Sequence, residues 1–437
     1  MNRSPSSLRA PWAKPLRDTL IIVGITAALF VVAEAGLRFW FPEKVTVLDE
    51  DDPWLAPHPD FIYTLRPGVA YDFIHDTENG GDTTRWESNS QAFRGPERHP
   101  ADLRVAVYGD SNVMARFSPW DETFTARLEA ALGDELGSKQ TAGGSARRVE
   151  VINAGVDGYG PDQSYLKMQA EMASLHPDVV VLDVFADNDF GDLVRNRLFD
   201  VRDGTLVRHD NPVTFQPSTR FGRFRAYLST LLTIRAVHEV LQRLGLEPDD
   251  RPPSTTGHAY IDQLLDFSEK EYRGFRDGGP AMIVDHYDAD LALGLDTEAT
   301  RAKVTLMRSL FREVRRLERD THVHVLVLIE PSVIDLTTNW TELSFEELAE
   351  FPAYRRDRLT SLVRALCDEA GLESLDLFDL FSDNSPNSLY FKAHDNHWNA
   401  KGQDLAARAT ARYIVDHYLN HASERDPLSR MKSDPAH

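Results

Sequence analysis

Hydrophobic positions form one long run at the start of the chain and short, regularly spaced runs after it. Leu20 to Leu37 is apolar apart from Thr26 and Glu34, long enough to cross a bilayer. Arg3, Arg9, Lys14 and Arg17 precede it and the first acid is Asp18. The positive-inside rule therefore predicts a cytoplasmic tail over 1–18, a membrane-spanning segment over 19–41 and export of the rest. Trp40 and Phe41 fall where an aromatic belt would lie. Ala33-Glu34-Ala35 has the small-x-small form of a signal-peptidase site, so cleavage near Ala35 to give a secreted protein is the alternative. Apolar character continuing through Leu37, Phe39 and Phe41 favours the anchor.

From 42 to 100 the pattern is irregular and rich in Pro, Asp and aromatics, an extracytoplasmic lead-in with one turn predicted at Asn89–Pro96 around Phe93. Alternation then begins. Arg104–Tyr108, Val149–Asn153 and Val179–Phe185 read as buried strands. Between them, Phe124, Leu128, Ala131 and Leu132 fall at helical spacing, and a second helix reaches Leu175 before His176-Pro177. The rhythm lapses from 195 to 280, around the linker candidate Glu247–Ser254. It returns with a helix over Thr297–Arg319, a strand over Val323–Ile329, a helix near Tyr354–Ala370, a strand over Leu375–Phe378 and a helix over Lys401–Leu419. Continuous apolar strands alternating with helices predict a three-layer α/β/α sandwich on a central parallel sheet, spanning 101–420, with an insertion at 195–280 and a polar tail over 421–437.

Composition narrows the function. Lys and Arg total 48 against 69 Asp and Glu, a net charge of −21, which argues against a nucleic-acid partner because phosphates are neutralised by clustered cations. The single cysteine, Cys367, excludes an intrachain disulfide and any multi-thiolate metal site, and its helical, apolar surroundings predict buried filler.

Four segments carry candidate chemistry. Val107-Tyr108-Gly109-Asp110-Ser111-Asn112 leaves the first strand, so Ser111 stands at the carboxyl edge of the sheet, where open α/β folds bind ligands. The residues after it are expected to begin a helix whose positive end faces the serine. Asn153–Gly160 leaves the second strand with glycines at 155, 158 and 160, which let a backbone N–H approach a ligand or simply form a turn. Phe185-Ala186-Asp187-Asn188-Asp189 leaves the third; Asn188 is either an amide donor to the same crevice or a helix cap. His394-Asp395-Asn396-His397-Trp398 precedes the last helix. Serine needs a base to act as a nucleophile, and histidine needs a carboxylate to orient it. Residues two apart in an extended stretch share a side, so Asp395 can orient His397. Two histidines and an aspartate also suggest a metal, but no further cluster completes a four-ligand set, and no cofactor is expected. Trp398 is better placed for core packing than for stacking on a sugar.

These ordered segments resemble the four blocks of the SGNH/GDSL hydrolase family, in its membrane-anchored bacterial branch, over about 103–419. The resemblance implies Ser111 as nucleophile, His397 as base and Asp395 as its acid, with an oxyanion hole of the Ser111 and Gly158 N–H groups and the Asn188 side chain. It implies an esterase acting on an O-acyl, in particular O-acetyl, ester of an envelope or exported glycan. An O-acyltransferase using the same residues, or an inactive glycan-binding scaffold, is the alternative. Two positions depart from the family pattern: His394 stands where the acid commonly lies, three residues before the histidine, and Asp187 replaces the usual glycine before the asparagine.

Overall fold

A computed structural model describes residues 54–75, 79–138, 147–210, 257–278, 285–338, 342–392 and 395–419, with isolated positions elsewhere. The chain divides into two compact units, one of Met1–Pro53 with Pro217–Pro253 and one of Trp54–Gln216 with Ser254–His437. Nearly all described residues belong to the second. Most of the predicted span 19–41, the linker candidate up to 254, and the tail from 420 lie outside the described residues. Within 19–41, Ile21, Ile25, Leu29, Val31 and Val32 are helical and exposed. Among the described residues no helix is long and apolar enough to cross a membrane.

The lead-in is more ordered than its irregular pattern predicts. Strands β1 (Leu55–His58) and β2 (Ile62–Leu65) pair antiparallel, as do β3 (Ala70–Ile74) and β4 (Thr83–Glu87). Strands of four or five residues are too short for alternation to stand out, yet Trp54, Phe61, Trp86 and Phe93 are buried in the same core as the sheet. Asn89 Oδ1 accepts the N–H groups of Gln91 and Phe93, closing the predicted turn.

The central sheet contains β5 (Leu103–Tyr108), β6 (Val149–Asn153), β7 (Val179–Ala186), β10 (His324–Pro331) and β11 (Glu373–Asp376), all parallel, in the order β6-β5-β7-β10-β11. A small hairpin, β8 (Phe199–Arg202) with β9 (Thr205–Arg208), begins the inserted region. Every residue of β7 is buried, as expected for a central strand covered on both faces. By order of appearance the arrangement is 2-1-3-4-5, a doubly wound sheet whose winding reverses between β5 and β7.

The helices that frame the sheet and the site, among the described residues, are α1 (Ser111–Met114), α2 (Phe124–Ser138), α3 (Pro161–Leu175), α4 (Asp189–Asn196), α5 (His258–Asp277), α6 (Glu298–Thr321), α7 (Arg358–Ala370) and α8 (Ala400–Ile414). Helices α3, α6 and α7 pack side by side over one face, while α2 and α8 pack together on the other. Two expectations shift. The last strand lies at Glu373–Asp376, and Phe378 instead opens a short helix, because Asp376 Oδ1 accepts the Phe378 N–H and starts a new turn. The helix after the serine is a single turn, ended by Ala115 at φ 49°, and the long helix begins at Phe124. The expected helix dipole on Ser111 is thus reduced to that of a single turn, whose Asn112 N–H is already capped by Asp110.

Cys367 is buried, and burial raises its thiol pKa well above the usual range.

Candidate active site

Strand exits at a winding reversal leave a crevice between the loops that follow them. Ser111 follows β5 and Asn188 follows β7, on the two sides of that reversal. The turn at Gly109 needs a residue without a side chain, since a Cβ there would sit 2.6 Å from Val113 Cγ2 and 2.8 Å from Asp183 Cβ. Gly155 is equally constrained, because a Cβ on it would meet the Met114 backbone nitrogen at 2.6 Å. The serine and glycine loops are therefore in direct contact. Asp110 caps α1, its Oδ1 accepting the Asn112 N–H at 2.8 Å. Among the described residues no acceptor engages the Ser111 N–H or the Gly158 N–H.

Arg94, from the lead-in, fixes the far side of the serine turn. Its buried guanidinium donates to the carbonyls of Met114 (3.1 Å), Ala115 (3.0 Å) and Ser118 (2.7 Å). Burial without a carboxylate pushes its pKa down to about 9.

Asp395 and His397 meet as their spacing anticipates. Asp395 Oδ1 lies 2.6 Å from His397 Nδ1 and also accepts the His397 backbone N–H at 2.9 Å. This second bond makes a two-residue spacing workable: the carboxylate folds back over its own loop and grips both the ring and the main chain. Burial alone would lower the imidazole pKa, but the Asp395 charge and hydrogen bond outweigh it and the net direction is upward. Asp395 is partly buried too, yet His397 and the backbone bond hold its pKa below the usual value. His397 Nε2 is buried and has no hydrogen-bond partner. Ser111 and His397 are not hydrogen-bonded to each other in this structure.

Their loops are nonetheless joined at adjacent residues. Asn112 Oδ1 accepts the Trp398 N–H at 3.1 Å, across 286 positions of sequence. Phe117 stands edge-on to His397, with ring centroids 6.1 Å apart. Trp398 itself is 1% exposed and packs on Phe124 and Phe381, which places it in the core rather than at a sugar-binding surface. His394 lies outside the described residues. Among the described residues no group of three or more His, Cys, Asp or Glu side chains is arranged to hold a metal.

Asn188 occupies the N-cap position of α4 but makes no capping bond, and its Oδ1 is buried without a partner. The reason lies 100 residues away. Asp288 Oδ2 accepts the N–H groups of Phe190 (3.1 Å) and Gly191 (3.2 Å), doing what a cap would do. Its other oxygen is held by Lys303 Nζ at 2.7 Å, with both side chains fully buried. The Asp288 N–H closes the arrangement on Asp187 O at 2.6 Å. Asp187 has no positive φ, so the position does not require glycine, and its carboxylate is anchored by the Ser332 hydroxyl. Burial pushes the Asp187 carboxyl up to about 7.

Beneath the serine turn, Asp183 and Glu330 are buried and neither carboxyl has a hydrogen-bond partner. Burial first, and neighbouring acids second, raise both well above the carboxylate range. Sequence reading did not single out Asn112, Asp288 or Arg94, because each acts through a partner that only folding supplies.

No family model matches the chain, and no curated protein does. Among solved structures, it is similar to LAE5, an alpha/beta hydrolase enzyme from the metagenome of Lake Arreo, Spain, at 13% identity and a TM-score of 0.35, over 72% of this chain and 95% of that one. An acetyl xylan esterase, AlAXEase, is matched at 14% identity and a TM-score of 0.34, over 71% of this chain and all of the other. A GDSL-like lipase from Parabacteroides merdae is matched at 11% identity and a TM-score of 0.34, over 73% and 100%.

Proposed function

We propose that the chain is a serine-dependent ester hydrolase of the SGNH/GDSL type. One observation carries the reading: a carboxylate-oriented histidine with a buried, unpartnered Nε2 is tied by the Asn112–Trp398 bond to a serine whose own N–H is unpaired. A five-stranded parallel sheet with the serine at its switch point supports it.

In the proposed reaction His397 Nε2 takes the Ser111 hydroxyl proton as Ser111 Oγ attacks the ester carbonyl. The Ser111–His397 hydrogen bond is proposed to form when substrate binds, since catalytic hydrogen bonds commonly tighten in the complex. The tetrahedral oxyanion is held by the N–H groups of Ser111 and Gly158 and by the Asn188 amide. His397 then protonates the leaving alcohol, Asp395 stabilises the imidazolium, and water resolves the acyl-enzyme.

The reading extends to place and substrate. The apolar run over 19–41 with its basic flank supports a single-pass inner-membrane anchor that exposes the catalytic unit outside the cytoplasm. With the family resemblance, that location points to a small O-acyl group, such as acetyl, on an envelope or exported glycan. The test is hydrolysis of an activated acetyl ester by the full chain in detergent. Wild type cleaves it and Ser111→Ala does not; activity surviving that substitution overturns the assignment. Adding oligosaccharide reads the alternative directly, because acyl transfer appears as acylated sugar at the expense of free acetate. Failure of wild type to react with a fluorophosphonate indicates a silent scaffold.

A further inference from the structure

Residues Asp157 and Gly158 are gripped from three separate elements. The Tyr63 hydroxyl, on β2, donates to Asp157 O at 2.9 Å. Arg195 Nη2, on α4, donates to Gly158 O at 2.9 Å. Arg116, in the loop after α1, forms an ion pair with the Asp157 carboxylate. Both carbonyls flanking the Gly158 N–H are thus pinned, while among the described residues the N–H between them has no acceptor. Gly158 sits at φ 70°, and a Cβ added to it would lie 3.0 Å from the Tyr63 hydroxyl, so tyrosine and glycine are fitted to one another.

We infer that Tyr63 is a positioning residue that aims the Gly158 N–H into the oxyanion hole. The inference rests on the hydrolase reading above and deepens it. A peptide unit is planar and trans, so its C=O and N–H point in opposite directions. Fixing the Asp157 oxygen on one side therefore fixes the Gly158 hydrogen on the other. The same bond draws electron density toward the carbonyl and makes the N–H a stronger donor. Tyr63 is itself held: its backbone carbonyl accepts the Tyr159 hydroxyl, and the two rings meet edge to face at 5.4 Å. The lead-in then serves the reaction directly, because β2 supplies the group that orients an oxyanion donor contributed by the sheet.

The experiment is Tyr63→Phe in the full chain, which keeps the ring and removes one hydroxyl. Losing an oxyanion donor outright lowers kcat by about 10²–10³-fold; a misaimed but present donor is expected to cost about tenfold. That loss falls in kcat, with KM and the pH of the acid limb unchanged, and fluorophosphonate labelling slows by the same factor. Circular dichroism and a melting curve confirm the variant is folded. Should Tyr63→Phe fail to fold, Arg195→Lys, which weakens the grip on Gly158 O, gives the same kcat-selective loss. Wild-type kcat and labelling in a folded Tyr63→Phe overturn the inference, as does a loss confined to KM. Neither outcome touches the hydrolase reading, which fails separately if wild type and Ser111→Ala behave alike.

Discussion

Asn188 and Asn399 stand at the same place on two different helices, each at the N-cap, and the fold uses them in opposite ways. Asn399 Oδ1 accepts the N–H groups of Lys401 (2.9 Å) and Gly402 (3.3 Å), and its amide donates to Ser388 O and Tyr390 O. All of its hydrogen-bonding capacity goes into structure. Asn188 does none of this, because Asp288 reaches in from the far side of the insertion and caps α4 in its stead. The difference is a division of labour. A helix start that faces a reaction crevice keeps its asparagine free only if something else satisfies the helix. The buried Lys303–Asp288 pair provides that substitute, and both of its members come from the chain that follows the insertion.

The widest separation between the two asparagines is expected in catalysis. Asn188→Ala lowers kcat by about 10²–10³-fold, as for loss of one oxyanion donor, and leaves the melting temperature nearly unchanged; steady-state kinetics beside a melting curve reads both. A variant with normal kcat removes Asn188 from the site. Next comes Asp288→Ala, which leaves the N–H groups of Phe190 and Gly191 unsatisfied and draws the Asn188 side chain onto them. Its kcat falls by about tenfold or more, and adding it to Asn188→Ala costs no further activity. Multiplicative losses in the double variant would show that Asp288 acts independently of Asn188.

Asn399→Ala is the counterpart. It destabilises the protein by about 1 kcal/mol, the usual value of a cap, seen as a lowered melting temperature, with kcat per folded molecule close to wild type. The smallest effect concerns pH. Asparagine does not titrate, so both variants keep the wild-type acid limb, and that limb belongs to His397. Its pKa is raised in the folded chain, so activity falls with decreasing pH at a midpoint above the ordinary imidazole value of about 6.5. Asp395→Asn removes the cause and moves the midpoint down, alongside a large loss of kcat. A wild-type midpoint below the ordinary value contradicts the Asp395–His397 pairing.

Buried acids add a stability signature. The folded pKa of Asp162 is pushed to about 7 and that of Asp335 to about 8, above an unfolded value of about 4, chiefly by burial. Between those values the native state holds more protons than the unfolded one, so stability declines as pH rises through that window. The melting temperature is expected to be higher near pH 5 than near pH 8.

Much of this was legible in sequence where one residue type has one physical use. Continuous apolar runs mark which segments form buried parallel strands, and glycines at strand exits mark close backbone approach. The Asp395–His397 contact follows from spacing in an extended stretch. The hairpins of the lead-in were not legible, because strands this short show too few alternations. Neither was the fate of Asn188 against Asn399: both precede helices, and only the arrival of Asp288 from 100 positions away separates them. Arg94 and Tyr63 escaped notice for the same reason, since their partners are backbone carbonyls and carry no sequence signal.

Ser111, His397, Gly158 and Asn188 are proposed to form one catalytic centre, and the predictions for kcat depend on that. The direct measurement is a crystal structure of the protein after reaction with a small fluorophosphonate. Phosphorus is expected on Ser111 Oγ, with a phosphonyl oxygen within hydrogen-bond distance of the Ser111 and Gly158 N–H groups and the Asn188 amide, and His397 Nε2 beside the ester oxygens. An adduct on another residue, or a phosphonyl oxygen facing solvent with Gly158 and Asn188 turned away, would contradict it.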